Sequence, residues 1–267
     1  MTVSLASFQL VFLMTDMLLF VMALSLVGFA IYGSRREHYR QAWAQLRALR
    51  LPMVCGGLVS LYGVVGLLDS VHFQLRAESE GIPQLSEEGE AVYEPEVLSL
   101  IDIAASSLRE RTEKTFSAPF ALHQFTKESV IDEKGVTTQN YPRLLHGGSH
   151  LGRIEDRTAD IASLAAQGVG VGLVAALVAM SAIYGVFAWR AARSRETWRT
   201  GVRKGFGIGL FIGLVIVLAS SVIYLSSGYH VLGTDQVGHD VLFRALKGCR
   251  VGLVLGTLTT LIATPLA

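Results

Sequence analysis

The 267-residue chain is 51% hydrophobic and only 17% charged, against roughly 25% charged for soluble domains, and its mean hydropathy is +0.45. A net charge of +1 gives no basis for a nucleic-acid partner. Two cysteines, Cys55 and Cys249, each at an apolar run, exclude a disulfide framework and read as free thiols.

Five apolar runs follow in chain order, at residues 8–32, 51–68, 164–189, 206–225 and 251–267. A helix rises 1.5 Å per residue and the hydrocarbon core is about 30 Å thick, so about 17–25 apolar residues can span it. Backbone polar groups in lipid must be satisfied within the segment, so these runs predict membrane-spanning helices. The first lacks a basic region before it and does not read as a cleavable signal peptide. It contains Asp16, whose insertion costs about 2.5–3.5 kcal/mol, so this residue should face protein or pair. One reading is a polar contact along a conduit; the other is a protonated or hydrogen-bonded carboxyl near the outer third of the helix. Asp69, ending the second run, is expected to be solvated at the outer surface.

Flanking charge predicts orientation. The 33–50 connection carries Arg35, Arg36, Arg40, Arg47 and Arg50 against Glu37. The 190–204 connection carries Arg190, Arg193, Arg195, Arg199, Arg203 and Lys204 against Glu196. Both belong in the cytoplasm by the positive-inside rule. The N-terminus and residues 71–163 then lie outside, and that segment, with nine Lys/Arg and sixteen Asp/Glu, has a net charge of −7.

Within the external segment, residues 77–96, with Pro83 and Pro95, read as an exposed irregular stretch. Val97, Leu100, Ile101, Ala104, Ala105 and Leu108 recur at helical spacing and predict an amphipathic helix over about 96–114. Residues 130–137, with Gly135, predict a hairpin, and 140–152 a loop. His146 and His150 flank two glycines, which argues against a helical metal pair, and no third ligand accompanies them. No nucleophile elbow or catalytic constellation is present, so the chain does not read as an enzyme.

The segment between the fourth and fifth runs contains the most patterned sequence. Gly233 and Gly238 permit tight turns, while Thr234, Asp235 and Asp240 are natural helix caps. Asp240 and Arg244 are four apart, and Val241, Leu242, Ala245 and Leu246 form an apolar stripe. Together these predict a short interfacial helix leading into the fifth span. Gly248, Gly252 and Gly256, like Gly209 and Gly213 in the fourth run, provide small-xxx-small steps for close helix packing.

This stretch, with His230, Leu232, Gly233, Thr234, Asp235, Gly238, Asp240, Arg244, Gly248 and Arg250, resembles the H-P-L-G-T-D-x-x-G-R-D-V-L-S-R-x-x-x-G-x-R-x-S-L-x-x-G region of permease subunits from dipeptide/oligopeptide ABC importers. The likeness covers about 27 residues, or about 38 with the apolar tail. Val231 and His239 depart from the family's Pro and Arg, which puts a turn and an external salt bridge in doubt. The family places this loop outside, in agreement with the charge argument.

The resemblance implies a bacterial inner-membrane subunit for peptides or similar solutes. Its implied partners are a second permease, cytoplasmic ATPase subunits and an extracytoplasmic solute-binding protein. Membrane lipid surrounds it, and ATP would be bound by the ATPases, with no cofactor on this chain. The sequence ends at Thr264-Pro265-Leu266-Ala267, still apolar, so a partial permease is expected.

The expected fold is therefore mostly α: a polytopic helical membrane protein with about five transmembrane helices and one extracytoplasmic insert. Its expected divisions are an N-terminal hairpin (1–70), the external segment (71–163), a second hairpin (164–229) and the start of a permease-like domain (230–267). The competing reading is a membrane sensor or interaction protein with 71–163 as its binding module.

Overall fold

Long apolar helices dominate the computed structural model, which describes residues 8–11, 13–48, 50–76, 78–79, 82–83, 92–131, 137–193 and 198–266. The chain is a mostly α, polytopic membrane protein. Four helical stretches among the described residues are long and apolar enough to cross a membrane: Met14–Arg35, Leu51–Asp69, Ile154–Trp189 and Gly209–Gly228. The fifth expected span is also helical but does not join that set. It is the distal part of a helix over Val241–Leu266 whose first turns carry Arg244, Lys247 and Arg250. The uncharged stretch beyond Arg250 is about 24 Å long at 1.5 Å per residue.

Contacts divide the chain into two compact units, Met1–Ser106 with Phe243–Ala267, and Ser107–Leu242. These cut across the consecutive blocks expected from hydropathy, because strand pairing and ion pairing join segments distant in sequence.

In the first unit, β1 (Phe8–Val11) precedes α1 (Met14–Arg35), α2 (Glu37–Ala48) and α3 (Arg50–Asp69). The chain continues through β2 (His72–Arg76), the two-residue strands β3 (Glu78–Ser79) and β4 (Ile82–Pro83), β5 (Tyr93–Ser99) and α4 (Leu100–Ala104). The antiparallel sheet has the order β1-β2-β5, with Val11 opposite His72 and His72 opposite Ser99. The first apolar run is thus not helical from its start: residues 8–11 are a strand.

The helix expected over 96–114 is also corrected. Residues 93–99 pair with β2, and Ser99 then caps α4 through a reciprocal box: its Oγ accepts from Asp102 N–H, and Asp102 accepts from Ser99 N–H. A second short helix, α5 (Ser106–Glu110), follows after Ala105 departs from helical geometry. Sheet pairing outweighed the helical periodicity, which counts local spacing only. The stretch read as irregular likewise contains β3, β4 and the start of β5, although residues 84–91 lie outside the described set.

In the second unit, β6 (Glu128–Ile131) pairs antiparallel with β7 (Thr137–Asn140), as the hairpin expectation required. Residues 141–153 are irregular, with turns, bends and a bridge from Arg143 to His123. The helices α6 (Arg157–Arg193) and α7 (Trp198–Gly228) then run antiparallel, since Gly168 lies against Ser221, Gly172 against Val217 and Gly213 against Ala176. Ser220 Oγ donates to Gly168 O, sealing the closest approach. Leu122, Leu151 and Tyr229 form a small core over the end of this pair, with Phe120, Ile161 and Leu164 against it.

Of the glycines expected to pack helices, Gly209 faces Met180 and Gly213 faces Ala176 and Met180, while in the first unit Gly252 lies against Tyr62. Gly248 and Gly256 have open space where a Cβ would stand. Gly168 and Gly172 approach a neighbouring backbone more closely than any of these.

A Cβ at Gly172 would stand 2.8 Å from Val217 Cα, whereas one at Gly170 would meet nothing within 4 Å. Gly172→Leu is therefore expected to destabilise the α6–α7 pair by about 1–3 kcal/mol, the usual cost of overpacking. Gly170→Leu should leave it unchanged. Thermal unfolding of both variants in detergent checks this, and equal midpoints would contradict the packing.

Candidate functional site

The patterned sequence at 230–240 folds as a tight double turn in the second unit. Gly233 N–H donates to His230 O at 3.1 Å and Gly238 N–H to Asp235 O at 3.0 Å. Both glycines have positive φ, +77° and +82°. Each is also a point of contact: a Cβ at Gly233 would collide with Ser117 O, and one at Gly238 with the backbone of Glu113. The departure at Val231 does not loosen the first turn, because backbone hydrogen bonding closes it. His239 likewise takes part through its backbone, donating to Asp235 Oδ1 at 2.9 Å and accepting from Asp235 N–H at 3.0 Å.

Only one of the three expected caps is a helix cap. Asp240 accepts from Leu242 N–H at 2.8 Å and so caps the helix that starts at Val241, hereafter α8 (Val241–Leu266). Asp235 instead closes its own turn by accepting from Val237 and His239 N–H. Thr234 donates to Thr115 O at 2.8 Å, a contact 119 residues distant in sequence. The separate interfacial helix expected here does not occur; its residues are the opening turns of α8. Leu232 and Val237 remain exposed on the turn, and Arg244 on α8.

At the centre is His230, 3% exposed, between two carboxylates. Its Nδ1 lies 2.7 Å from Asp240 Oδ2 and its Nε2 3.3 Å from Glu113 Oε1. With an acceptor at each nitrogen the ring is an imidazolium. Burial pushes its pKa down, but the hydrogen bonds and charges of Asp240 and Glu113 outweigh this and raise it to about 9.

Glu113 is tied further by N–H donors from Leu145 at 2.8 Å, His146 at 2.7 Å and Gly147 at 3.2 Å. Burial alone would raise its pKa. The His230 hydrogen bond and these three amides hold it at about 2. Glu113 therefore links the 145–147 turn to His230, and its own N–H donates to Gly238 O at 2.9 Å.

Sequence reasoning missed Glu113, which lay in a polar run assigned to a helix. It also missed the neighbouring Tyr229, whose hydroxyl donates to Asp160 at 2.7 Å, with His150 Nε2 on the same carboxylate oxygen at 2.8 Å.

The remaining motif residue, Arg250, belongs to a separate cluster in the first unit. Asp16, fully buried, receives Nδ1–H of His72 at 3.0 Å and stands 2.6 Å from Arg250 Nη2. Arg250 donates to His72 Nε2 at 3.2 Å and to Thr15 Oγ1 at 2.6 Å. His72 thus carries its proton on Nδ1, passed toward Asp16. Asp16 is also the third residue of α1 and accepts from Leu13 N–H at 3.3 Å, so it belongs to the helix start.

Asp69 is corrected as well. It is buried, not solvated, and accepts from Ser99 Oγ at 2.7 Å with Lys247 Nζ at 3.6 Å. Lys247 also reaches both oxygens of Asp102 at 2.7 Å. For Asp102, burial raises the pKa, yet Lys247 and Ser99 N–H hold it below the ordinary carboxylate range.

Among the described residues there is no group of three or more His, Cys, Asp or Glu side chains placed to hold a metal. What both clusters can do chemically is fix buried charges and, through them, the backbone. No family model, curated protein or solved structure matches the chain.

The two shifted groups set a pH window for the second unit. The raised pKa of His230 contributes stability that is complete below its ordinary 6.5 and lost as pH rises through about 9. The lowered pKa of Glu113 contributes stability that is complete above its ordinary 4.5 and lost as pH falls toward about 2. Unfolding midpoints should therefore be highest between about pH 4.5 and 6.5. In Glu113→Gln the alkaline decline should move to lower pH, with a loss of about 3–5 kcal/mol, as for one partner of a buried ion pair. An unmoved alkaline limb would remove Glu113 from the linkage.

Gly238→Ala combines strained φ with collision against Glu113, and should cost about 1–3 kcal/mol, whereas Gly248→Ala should cost nothing. Comparing their denaturation profiles distinguishes a specified turn from a permissive loop.

Proposed function

We propose that this chain is a membrane-spanning permease subunit of an ABC importer for peptides or similar solutes. It would lie in a bacterial inner membrane with its N-terminus outside. The observation that carries the reading is the 230–240 turn, whose motif residues His230, Gly233, Thr234, Gly238 and Asp240 all make structural contacts in the second unit. A fortuitous string of residues would leave most of those positions without work to do. The four apolar helices and the arginines of α2 support the membrane placement and its direction.

In this role the turn sets where α8 begins and presents Leu232 and Val237 to a solute-binding protein. The spans contribute to the translocation path beside a second permease, with ATP bound by cytoplasmic ATPase subunits. The chain needs no catalytic group or cofactor of its own for that work.

A second reading, an extracytoplasmic interaction protein, draws on one observation. Phe125 is 73% exposed, and its N–H donates to the backbone O of Phe116, another exposed aromatic residue. Such rings suit protein recognition.

Two measurements test the proposal. With Cys55 and Cys249 replaced, a cysteine at Gln41 should be labelled only from the cytoplasm and one at Ser129 only from outside; the reverse pattern would sink the orientation. Gentle extraction of the tagged chain from its own membranes should bring down an ATPase and a second permease, and its deletion should abolish uptake of a labelled oligopeptide. Recovery without an ATPase, together with normal uptake, would favour the interaction protein.

A further inference from the structure

We propose that α2 is a membrane-surface helix whose Tyr39–Trp43–Leu46 face lies against the acyl-chain boundary, held there by anionic lipid headgroups on the arginines beside it. The inference requires only that α1 and α3 cross the membrane, and it stands whatever is transported.

The tether comes first. Only Arg36 separates α1 from α2, and only residue 49 separates α2 from α3. Both ends of a 12-residue helix are therefore anchored to spans, and α2 has no length with which to leave the surface. Its apolar residues are not scattered. Tyr39, Trp43 and Leu46 stand at i, i+4 and i+7, a single stripe, and each is exposed by 39–46%.

The direction of that stripe is set by packing. The Tyr39 ring meets Phe29 edge-on at 5.7 Å, and a Cβ at Gly33 would lie 3.7 Å from Tyr39 Cβ. Phe29 is inside the apolar span Met14–Arg35, so the stripe turns toward hydrocarbon rather than water.

Charge selects the lipid. Arg35, Arg36, Arg40, Arg47 and Arg50 stand against Glu37 alone. The Arg36 guanidinium lies over the Tyr32 ring, 5.4 Å from its centroid, which places its charge beside the aromatic side chain. Arg40 and Arg47 are seven residues apart in the sequence, about two helical turns. A basic polar flank beside an aromatic face is the pattern of an interfacial helix on anionic lipid.

The test uses the full chain with Trp189→Phe and Trp198→Phe, which leaves Trp43 as its one tryptophan. The protein is reconstituted into phosphatidylcholine vesicles with increasing phosphatidylglycerol, containing lipids brominated near the headgroup end of the acyl chain. Trp43 should be quenched by bromine and shielded from acrylamide, increasingly so as the anionic fraction rises. Arg40→Gln with Arg47→Gln should weaken seating roughly 25-fold, at about fivefold per cation, and the double Lys variant should retain it. Labelling of a cysteine at Gln41 checks that the orientation is unchanged; if it has changed, the titration on the parent chain decides alone. Acrylamide access at every lipid composition would overturn the proposal, as would equal bromine quenching without phosphatidylglycerol. Release from bromine quenching when a purified ATPase is added would make that protein the occupant instead.

Discussion

A carboxylate withdrawn from water keeps its charge only if donors or cations surround it, and five do so among the described residues: Asp16, Asp69, Asp102, Glu113 and Asp240. Their partners determine where elements begin and which segments meet. Asp16 starts α1 and at the same time requires His72 and Arg250. Asp102 starts α4 and requires Lys247. Asp240 starts α8 and requires His230, which in turn requires Glu113. Asp16, Asp102 and Asp240 therefore do local work at helix starts and also act as constraints between residues 10 to 234 apart. Removing one partner strands the others, which is costlier than never having buried the group.

The two histidines at these clusters show how partner chemistry decides protonation. His230 has a carboxylate at each nitrogen and is held as a cation. His72 has a carboxylate at one nitrogen and a guanidinium at the other, so it donates to Asp16 and accepts from Arg250. In both clusters the ring nitrogens are occupied by neighbouring side chains, so each histidine fixes the groups around it.

Glycine serves two distinct needs. At Gly233 and Gly238 it supplies positive φ where another backbone passes close by, so both conformation and space are specified. At Gly168 and Gly172 the conformation is ordinary and the requirement is approach: α7 comes near enough for a serine hydroxyl to bond a main-chain carbonyl. The first need holds the turn against residues 113–118. The second holds a helix pair that has no hydrophobic effect to drive its association in lipid. In the first unit, an exposed aromatic stripe on α2 belongs to a third setting, the boundary between hydrocarbon and water.

Much of the architecture was legible from the chain alone. Hydropathy located the spans because each helix satisfies its own backbone in lipid, a requirement independent of its neighbours. The hairpin at 128–140, the loop after it and the turn glycines at 233 and 238 were also local matters, governed by turn conformation and residue type. What depended on partners was misread or missed. The periodicity at 97–108 pointed to a helix, but residues 93–99 gained a ladder with β2 that no local count includes. Asp69 stood at a span end and read as solvated until Lys247 and Ser99 were brought to it. Glu113 lay in a run of charges, indistinguishable there from a solvated face. Its importance comes from three amides over thirty residues away and a histidine 117 residues away, contacts that only the tertiary structure decides, because sequence order holds no record of which distant donors will surround a buried charge.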